Sequence, residues 1–399
     1  MHSPEKKNIV IIGGGAIGAS VAYYLTRHPS YDPSLHSITL LEATSIAGGS
    51  SGKAGGLVAE WATPSCLAPL SFKKHAELAE THGGDRLWGH RHVRCAEVAL
   101  EARNLSNASD PTKPEIDWLA SGVLKSYTEI GNLSNSAQVN PLLYTTNIAR
   151  LAAEKGAQVI IGKATDIKYS TEDDRSVTSV DYTVQNGSAE RLDATDVIVA
   201  AGPWTPRLLP QVQLQAPRGH SVVIKPIQPI SSHVLFPTIS PAADSSLKDL
   251  ISPEIYPRPA DALYDFETVY SAGPDDYEVP LPPSTEEVAV NPQKSDAITQ
   301  ALSSVSPPLQ NGQVLVRQAC YKPQIRAHED GEEVCPIVGP LPGTRGVWLA
   351  TGHDEWGMSN SAGTGVVVSE MVFEGSAKSA DVGSLYPEHF VRDHSTEQS

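Results

Sequence analysis

Three glycines, Gly13, Gly15 and Gly18, stand in G-x-G-x-x-G spacing within NIVIIGGGAIGAS, residues 8–20. A short apolar run precedes them and a helical pattern follows, so they occupy a strand-to-helix turn. There the first glycine permits a tight turn, the second lets backbone approach a pyrophosphate, and the third lets helix pack on strand. The N–H groups at the helix start, at Ala16 and Ile17, and the helix dipole favour an anion. Glu42 ends the next apolar run, SITLLE, just before Ala43. A carboxylate at that place can accept hydrogen bonds from ribose hydroxyls. The alternative is a glycine turn that holds nothing.

A second chemistry-bearing stretch is EIYPRP, with Tyr256 and Arg258 on either side of Pro257. On a strand, alternate residues share a face. If that face borders a cavity, it offers a hydroxyl and a fork for a carboxylate. Otherwise Arg258 lies on the solvent face of an edge strand, which the prolines allow. HGGDRLWGHRH holds His82, His90 and His92, the density a metal would want. No carboxylate or cysteine completes a ligand set, so no metal is expected. Trp61, Trp204 and Trp356 each follow a glycine-rich turn. They either wall a bound group or pack the core.

The elements that must position these residues are legible as patterns. NIVII reads as a buried parallel strand, AIGASVAYYLTRH as a helix stopped by Pro29, and SITLLE as a second strand. This strand–helix–strand unit requires a right-handed crossover. TTNIARLAAEKGA reads as a helix capped at Gly156, followed by the strand QVIIG. DVIVAAGPW is another buried strand running into a glycine turn, and GVWLATGHDEWGMSNSAGTGVVVSEMVFEG reads strand, turn, helix. Residues 89–139 and 215–333 differ: HSVVIKP, EIYPRP and QVLVRQACY read as antiparallel strands. PTISPAADSS and PDDYEVPLPPSTEE read as surface loops. The economical organisation is an α/β protein. Residues 1–88, 140–214 and 334–385 form a discontinuous Rossmann-like domain. Residues 89–139 and 215–333 form an inserted antiparallel-sheet substrate domain, and 386–399 a C-terminal tail.

The totals narrow the partners. With 46 acidic and 30 basic residues the formal net charge is −16. A field of that sign repels nucleic acid and anionic lipid. No apolar stretch approaches a membrane span. Cys66, Cys95, Cys320 and Cys335 are widely spaced with no C-x-x-C, which favours a reducing compartment. The N-terminal MHSPEKK carries no apolar signal region and the C-terminal STEQS is no peroxisomal address. A cytoplasmic location is therefore the expectation.

A second glycine cluster follows Glu42 in GGSSGKAGGLVAEW, so backbone can approach something long and flat. With VIVAAGPW and ATGHDEWG, it resembles the FAD-dependent oxidoreductases of the D-amino-acid oxidase, glycine oxidase and sarcosine oxidase superfamily. The resemblance covers nearly the whole chain in order. GGSSGKAGGLVA, EIYPRP, RQACYKP and GHDEWGMSNSAGTG look most like a sparsely characterised fungal branch, some of whose members have been linked to endosomal sorting. The resemblance implies bound FAD. Ser50 and Ser51 would contact the pyrophosphate or ribityl hydroxyls. In the same stretch as Lys53, residues Ala54, Gly55, Gly56 and Leu57 would run along the isoalloxazine. Ala164 would meet the adenine through its backbone. Ala200, Ala201 and Gly202, with Trp204, would close over the dinucleotide. Gly352, His353, Trp356, Gly357 and Met358 would face the flavin's pyrimidine edge. There a helix starting near Ser359 would stabilise negative charge on the reduced flavin.

The resemblance also implies the reaction. The C–N bond of a small amine or amino acid is oxidised, hydride passes to flavin N5, and O2 is the acceptor, giving hydrogen peroxide. The protein anchors the substrate, since position accounts for much of the rate. Lys322, in QACYKP, stands where the family often has a carboxylate-binding Arg; it keeps the charge without the bidentate geometry. Cys320 falls where sarcosine oxidases bond a cysteine to the flavin; the other reading is a buried small hydrophobe. His220 falls on a family turn near the cofactor, in a structural role. Glu355 departs from the family's Arg; it either suits a cationic amine substrate or points to water. Tyr264 stands near the place of the family's oxygen-activating lysine. These departures leave two alternatives, a dehydrogenase with another acceptor and a flavin-binding regulatory or trafficking protein with little turnover.

Overall fold

The computed structural model describes residues 6–105, 116–172, 175–325 and 335–391. The expected junction at 333/334 and the tail from 392 onward lie outside them.

The chain opens with β1 (Lys7–Ile12), α1 (Ala16–Leu25) and β2 (His36–Glu42). Next come β3 (Leu57–Ala59), α2 (Ala68–His82), α3 (Gly84–Leu87), β4 (Arg91–His92), β5 (Arg94–Glu101), β6 (Leu124–Gly131) and β7 (Ser136–Gln138). Then α4 (Pro141–Ala153) leads to β8 (Gln158–Tyr169), β9 (Val177–Val184), β10 (Ala189–Asp193) and β11 (Asp196–Val199). After α5 (Thr205–Leu208) the chain forms β12 (Arg218–Lys225), β13 (His233–Ser240), β14 (Glu254–Arg258) and β15 (Thr268–Ala272). It continues with α6 (Pro292–Ser303), α7 (Pro307–Gln310) and β16 (Gln313–Tyr321). The described chain closes with β17 (Ile337–Pro340), β18 (Val347–Thr351) and α8 (Gly357–Glu374).

The first sheet has eight strands in the order β10-β9-β8-β2-β1-β11-β18-β17. Its centre, β8 through β18, is parallel, and antiparallel strands finish both edges. Along β1, Ile9 and Ile11 pack against α1, α4 and α8 on one face, whereas Val10 and Ile12 join a separate apolar cluster on the other. That alternation explains the unbroken apolar run: a parallel strand is covered on both sides. Both α1 and α8 are buried nearly all round, as helices inside a layer must be. The chain steps from β1 to β2 on one side, while β11 lies on the other. The crevice beyond the carboxyl end of β1 is thus a topological switch point, where open α/β sheets bind ligands.

The second sheet has seven strands in the order β16-β12-β15-β14-β13-β5-β6. It is antiparallel as expected except for one pair, since β13 runs parallel to β5. A parallel pair cannot be joined by a hairpin; β5 and β13 come from stretches far apart in the chain, with β6 to β12 between them, which frees them to pair this way. Two sequence expectations change here. PTIS belongs to β13 rather than to a loop, and β14 is an interior strand rather than an edge. The prolines Pro237 and Pro257 are tolerated because the β13–β14 seam has only one registered pair, Leu235↔Ile255. A three-stranded sheet, β3-β7-β4, links the two larger ones.

Candidate functional site

The cleft at the end of β1 begins with the glycine turn. Gly13 sits at φ 113°, where only glycine is unstrained, and a Cβ there would strike the Ala200 carbonyl. A Cβ on Gly18 would strike the Gly13 carbonyl and press on Ile11 Cγ2, so Gly18 lets α1 lie on β1. A Cβ on Gly15 would meet only the Ser51 side chain, with Oγ at 2.9 Å. The space before α1 is therefore open cavity. Gly13 and Gly18 thus make the turn and the helix packing that their spacing foretells, and Gly15 borders open space.

The walls of this turn are tied together. Glu42 accepts from the Gly14 N–H at 2.7 Å through one oxygen and from the Thr44 N–H at 2.9 Å through the other. A carboxylate has about four acceptor sites, so ribose hydroxyls can still bond to it. Ser51 Oγ accepts from the Ala16 N–H at 2.9 Å, which joins the second glycine cluster to the start of α1. That N–H is thus engaged, and Ser51 keeps its own hydrogen to donate. At the far end of the cleft α8 starts at Gly357 with no side-chain cap on its first N–H groups. His75 and Ser71 hold this end from below, donating to the carbonyls of Met358 (3.0 Å) and Ser359 (2.6 Å). Burial pushes His75 down to about 3, so it is a neutral donor.

One continuous cleft joins these parts, with ≈ 2280 Å³ of space between atoms, open solvent at its mouth included. Of the residues named from the sequence, Gly13, Gly15, Ile17, Glu42, Ala43, Ser50, Ser51, Ala54, Gly55, Gly56 and Leu57 line it. So do Ala164, Ala200, Ala201, Gly202, Trp204, His353, Trp356, Gly357 and Met358. Ala16, Gly18, Lys53 and Gly352 are not in the wall. Ala16 and Gly18 are buried in α1, Lys53 donates to the Ala319 carbonyl at 3.0 Å, and Gly352 turns at φ 75° behind it. Trp204 donates to the Pro282 carbonyl at 2.8 Å while lining the cleft, and Trp356 lies edge-on to Trp61. His353 is buried and pushed down to about 3, with Nε2 3.0 Å from the Thr364 hydroxyl.

The other half of the cleft is walled by the seven-stranded sheet. Glu254, Tyr256 and Arg258 share one face of β14, as period two requires. Tyr256 lines the cleft and donates to Glu254 Oε2 at 2.9 Å. Arg258 does neither thing foreseen for it. Its guanidinium donates to the carbonyls of Ala54 (2.6 Å) and Gly55 (3.0 Å), beneath the glycine loop, and it faces neither cavity nor solvent. The loop covers that part of the strand because Gly55 packs directly on the Tyr256 ring. Lys322 reaches the cleft but is ion-paired twice, to Asp275 at 2.6 Å and Glu355 at 2.9 Å. Burial alone would lower its pKa; the two carboxylates outweigh that and raise it.

Glu254 is pushed up to about 7, first by its burial and then by the charge of Glu355; the Tyr256 hydrogen bond and Lys322 oppose the rise. Phe236, Tyr256 and Tyr270 form an edge-to-face chain with centroids 6.0 and 5.7 Å apart. All three line the cleft. Cys320 lines it too, and burial pushes its thiol up to about 11. Tyr264 is not in the wall; its ring lies against Phe266. His220 lines the cleft while its Nε2 accepts from the Asn291 N–H at 3.0 Å, a structural bond. The rings of His90 and His92 meet edge-on, and no group of metal-binding side chains exists among the described residues.

Residues 8–371 match the family described as FAD dependent oxidoreductase. The chain belongs to that family. It is 29% identical to TDA3 of Saccharomyces cerevisiae, over 97% of this chain and 95% of that protein. It is 31% identical to C1F5.03c of Schizosaccharomyces pombe, over 96% and 98% respectively. The fold is similar to that of glycine oxidase from Geobacillus kaustophilus, with a TM-score of 0.67 at 19% identity, covering 98% of this chain and 99% of that one.

The residues present fit FAD. The Gly13–Gly15 turn leaves the room a diphosphate needs, and Ser51 keeps a hydroxyl hydrogen for it. The uncapped start of α8 points main-chain N–H groups into the same cleft. Sequence reasoning missed Glu254, Asp275, Phe236 and Tyr270. For Glu254 a signal existed, because the alternation that pairs Tyr256 with Arg258 also includes it. For Phe236 and Tyr270 no local signal exists; they meet only because β13, β14 and β15 are neighbours.

Proposed function

We propose that this oxidoreductase oxidises the C–N bond of a small amine or amino acid, with O2 as the acceptor, hydrogen peroxide as a product, and the cytoplasm as its place of action. When bound, FAD supplies the acceptor for the substrate's hydride. The chain's own residues do the rest. Phe236, Tyr256, Tyr270 and Trp356 exclude water and orient the substrate's apolar part beside the loop at Ala54–Leu57. Glu254 holds a proton acceptor at the cleft wall, where an ammonium must become a free amine before its C–H bond can react. The observation that carries this reading is the juxtaposition of that aromatic and carboxylate wall with the cofactor loop, through the contact of Gly55 on Tyr256.

The test is anaerobic mixing of the yellow holoprotein with amines, glycine, D-amino acids and N-methyl amino acids. Bleaching of the flavin band by any of them, followed by peroxide formation on admitting air, is the expected result. Bleaching without peroxide would replace O2 by another acceptor. No bleaching across the panel would leave a flavin-binding protein of another role.

A further inference from the structure

The substrate half of the cleft carries an imbalance of charge of which the sequence showed one member, Glu355. Its described cation is Lys322, already paired to Asp275 and Glu355, so that this trio has a net charge of −1 before Glu254 is counted. Two cations behind the wall are engaged elsewhere: Arg258 spends its guanidinium on two loop carbonyls and Lys53 its ammonium on the Ala319 carbonyl. Lys163 and Arg207 line the cleft with Ala164 and Trp204, in the nucleotide half. A substrate carboxylate would therefore have to share one ammonium with two carboxylates already on it, and like charges held close repel. Glu254 adds to the negative side. Its hydrogen bond comes from the neutral Tyr256 hydroxyl, and among the described residues no ion pair holds it. The three rings of Phe236, Tyr256 and Tyr270 stand beside it, and aromatic rings attract cations as well as hydrocarbon.

We infer that this cleft selects cationic amines without a carboxylate, with Glu254 countering the ammonium and the rings of Phe236, Tyr256 and Tyr270 holding the hydrocarbon part. The inference rests on the amine-oxidation reading and narrows its substrate class. It gives Lys322 a positioning role: it holds Asp275 and Glu355 in place rather than anchoring a substrate. Because burial and Glu355 keep Glu254 near 7, an arriving cation promotes the ionisation of the group that binds it.

The experiment uses oxidised holoprotein and two unreactive probes, trimethylpropylammonium and butyrate, with binding read by perturbation of the flavin spectrum and by calorimetry. The ammonium is expected to bind at least tenfold more tightly. Glu254→Gln is expected to erase that preference while keeping its flavin, and Glu254→Asp to retain most of it. A second arm compares anaerobic bleaching by ethylamine with alanine, and by N-methylethylamine with N-methylalanine. The amine of each pair is expected to react at least tenfold faster. If butyrate binds better and the amino acids bleach faster, the inference is overturned while amine oxidation stands. If nothing bleaches, the amine-oxidation reading fails, and the probe preference alone decides whether the cleft favours cations. An unchanged preference in Glu254→Gln overturns the role of Glu254.

Discussion

The two halves of the cleft are built from different materials. The cofactor half is made of main chain, with Gly13, Gly15, Gly48–Gly49 and Gly55–Gly56 bringing backbone to the surface. The substrate half is made of side chains from β13, β14, β15, the end of β16 and the turn before α8. Main-chain surfaces demand the absence of side chains, a requirement written locally as glycine. Side-chain surfaces depend on which strands become neighbours.

The sharpest way to break this contrast is Gly15→Val. The new side chain would enter the diphosphate's space against Ser51. Overpacking costs about 1–3 kcal/mol, which is about five- to 150-fold in Kd. The purified variant is expected to be colourless with a native circular dichroism spectrum; a fully loaded yellow variant would show that the turn holds something else.

Arg258→Met tests the seam between the halves. It leaves the Ala54 and Gly55 carbonyls without their donor, at a cost of about 1–3 kcal/mol. Flavin affinity, measured by fluorescence on titrating the apoprotein, is expected to fall by more than the KM of any substrate rises. The reverse order would return Arg258 to the substrate pocket.

Glu254 gives an effect of similar size that depends on pH and has a defined sign. Its folded pKa lies above the ordinary carboxylate range, so the folded state binds this proton more tightly than the unfolded state does. That contribution is complete below about pH 4 and is lost as the pH rises toward 7. Glu254→Gln escapes the loss. Its stability advantage over the parent, measured by thermal melts, is expected to grow between about pH 5 and pH 8 to about 1–3 kcal/mol. A difference that stays flat across that range would place Glu254 in water.

The smallest effect is expected at Cys320. With its thiol pushed up to about 11 it remains protonated near neutrality and is a poor nucleophile. Acid precipitation is expected to release all the flavin from the parent, and Cys320→Ser is expected to keep the same flavin content. Flavin that stays with the precipitate would establish the covalent bond.

Much of the fold was legible because its signals are local. SITLLE, DVIVAAGPW and the run through GVWLATGHDEWGMSNSAGTG became β2, β11, and β18 with α8, and the opening turn stands where its glycines placed it. The limits of that reading are instructive. The prolines of EIYPRP suggested an edge, and the seam they interrupt proved to be inside a sheet. Proline reports a missing donor, not which strand lies opposite. Tyr256 and Arg258 do share a face, yet the glycine loop from about 200 residues earlier covers half of it.

The sequence by itself determined the nucleotide crevice, because glycine spacing, a strand, a helix and a terminal carboxylate are all encoded within one short stretch; FAD came with the resemblance that the second glycine cluster, GGSSGKAGGLVAEW, carries. Glu355 hinted at the charge of the other half, but only the tertiary structure decided how its charges pair. Whether Lys322 is an open anchor or a paired cation depends on Asp275 and Glu355 arriving from other turns, and electrostatics act through space rather than along the chain.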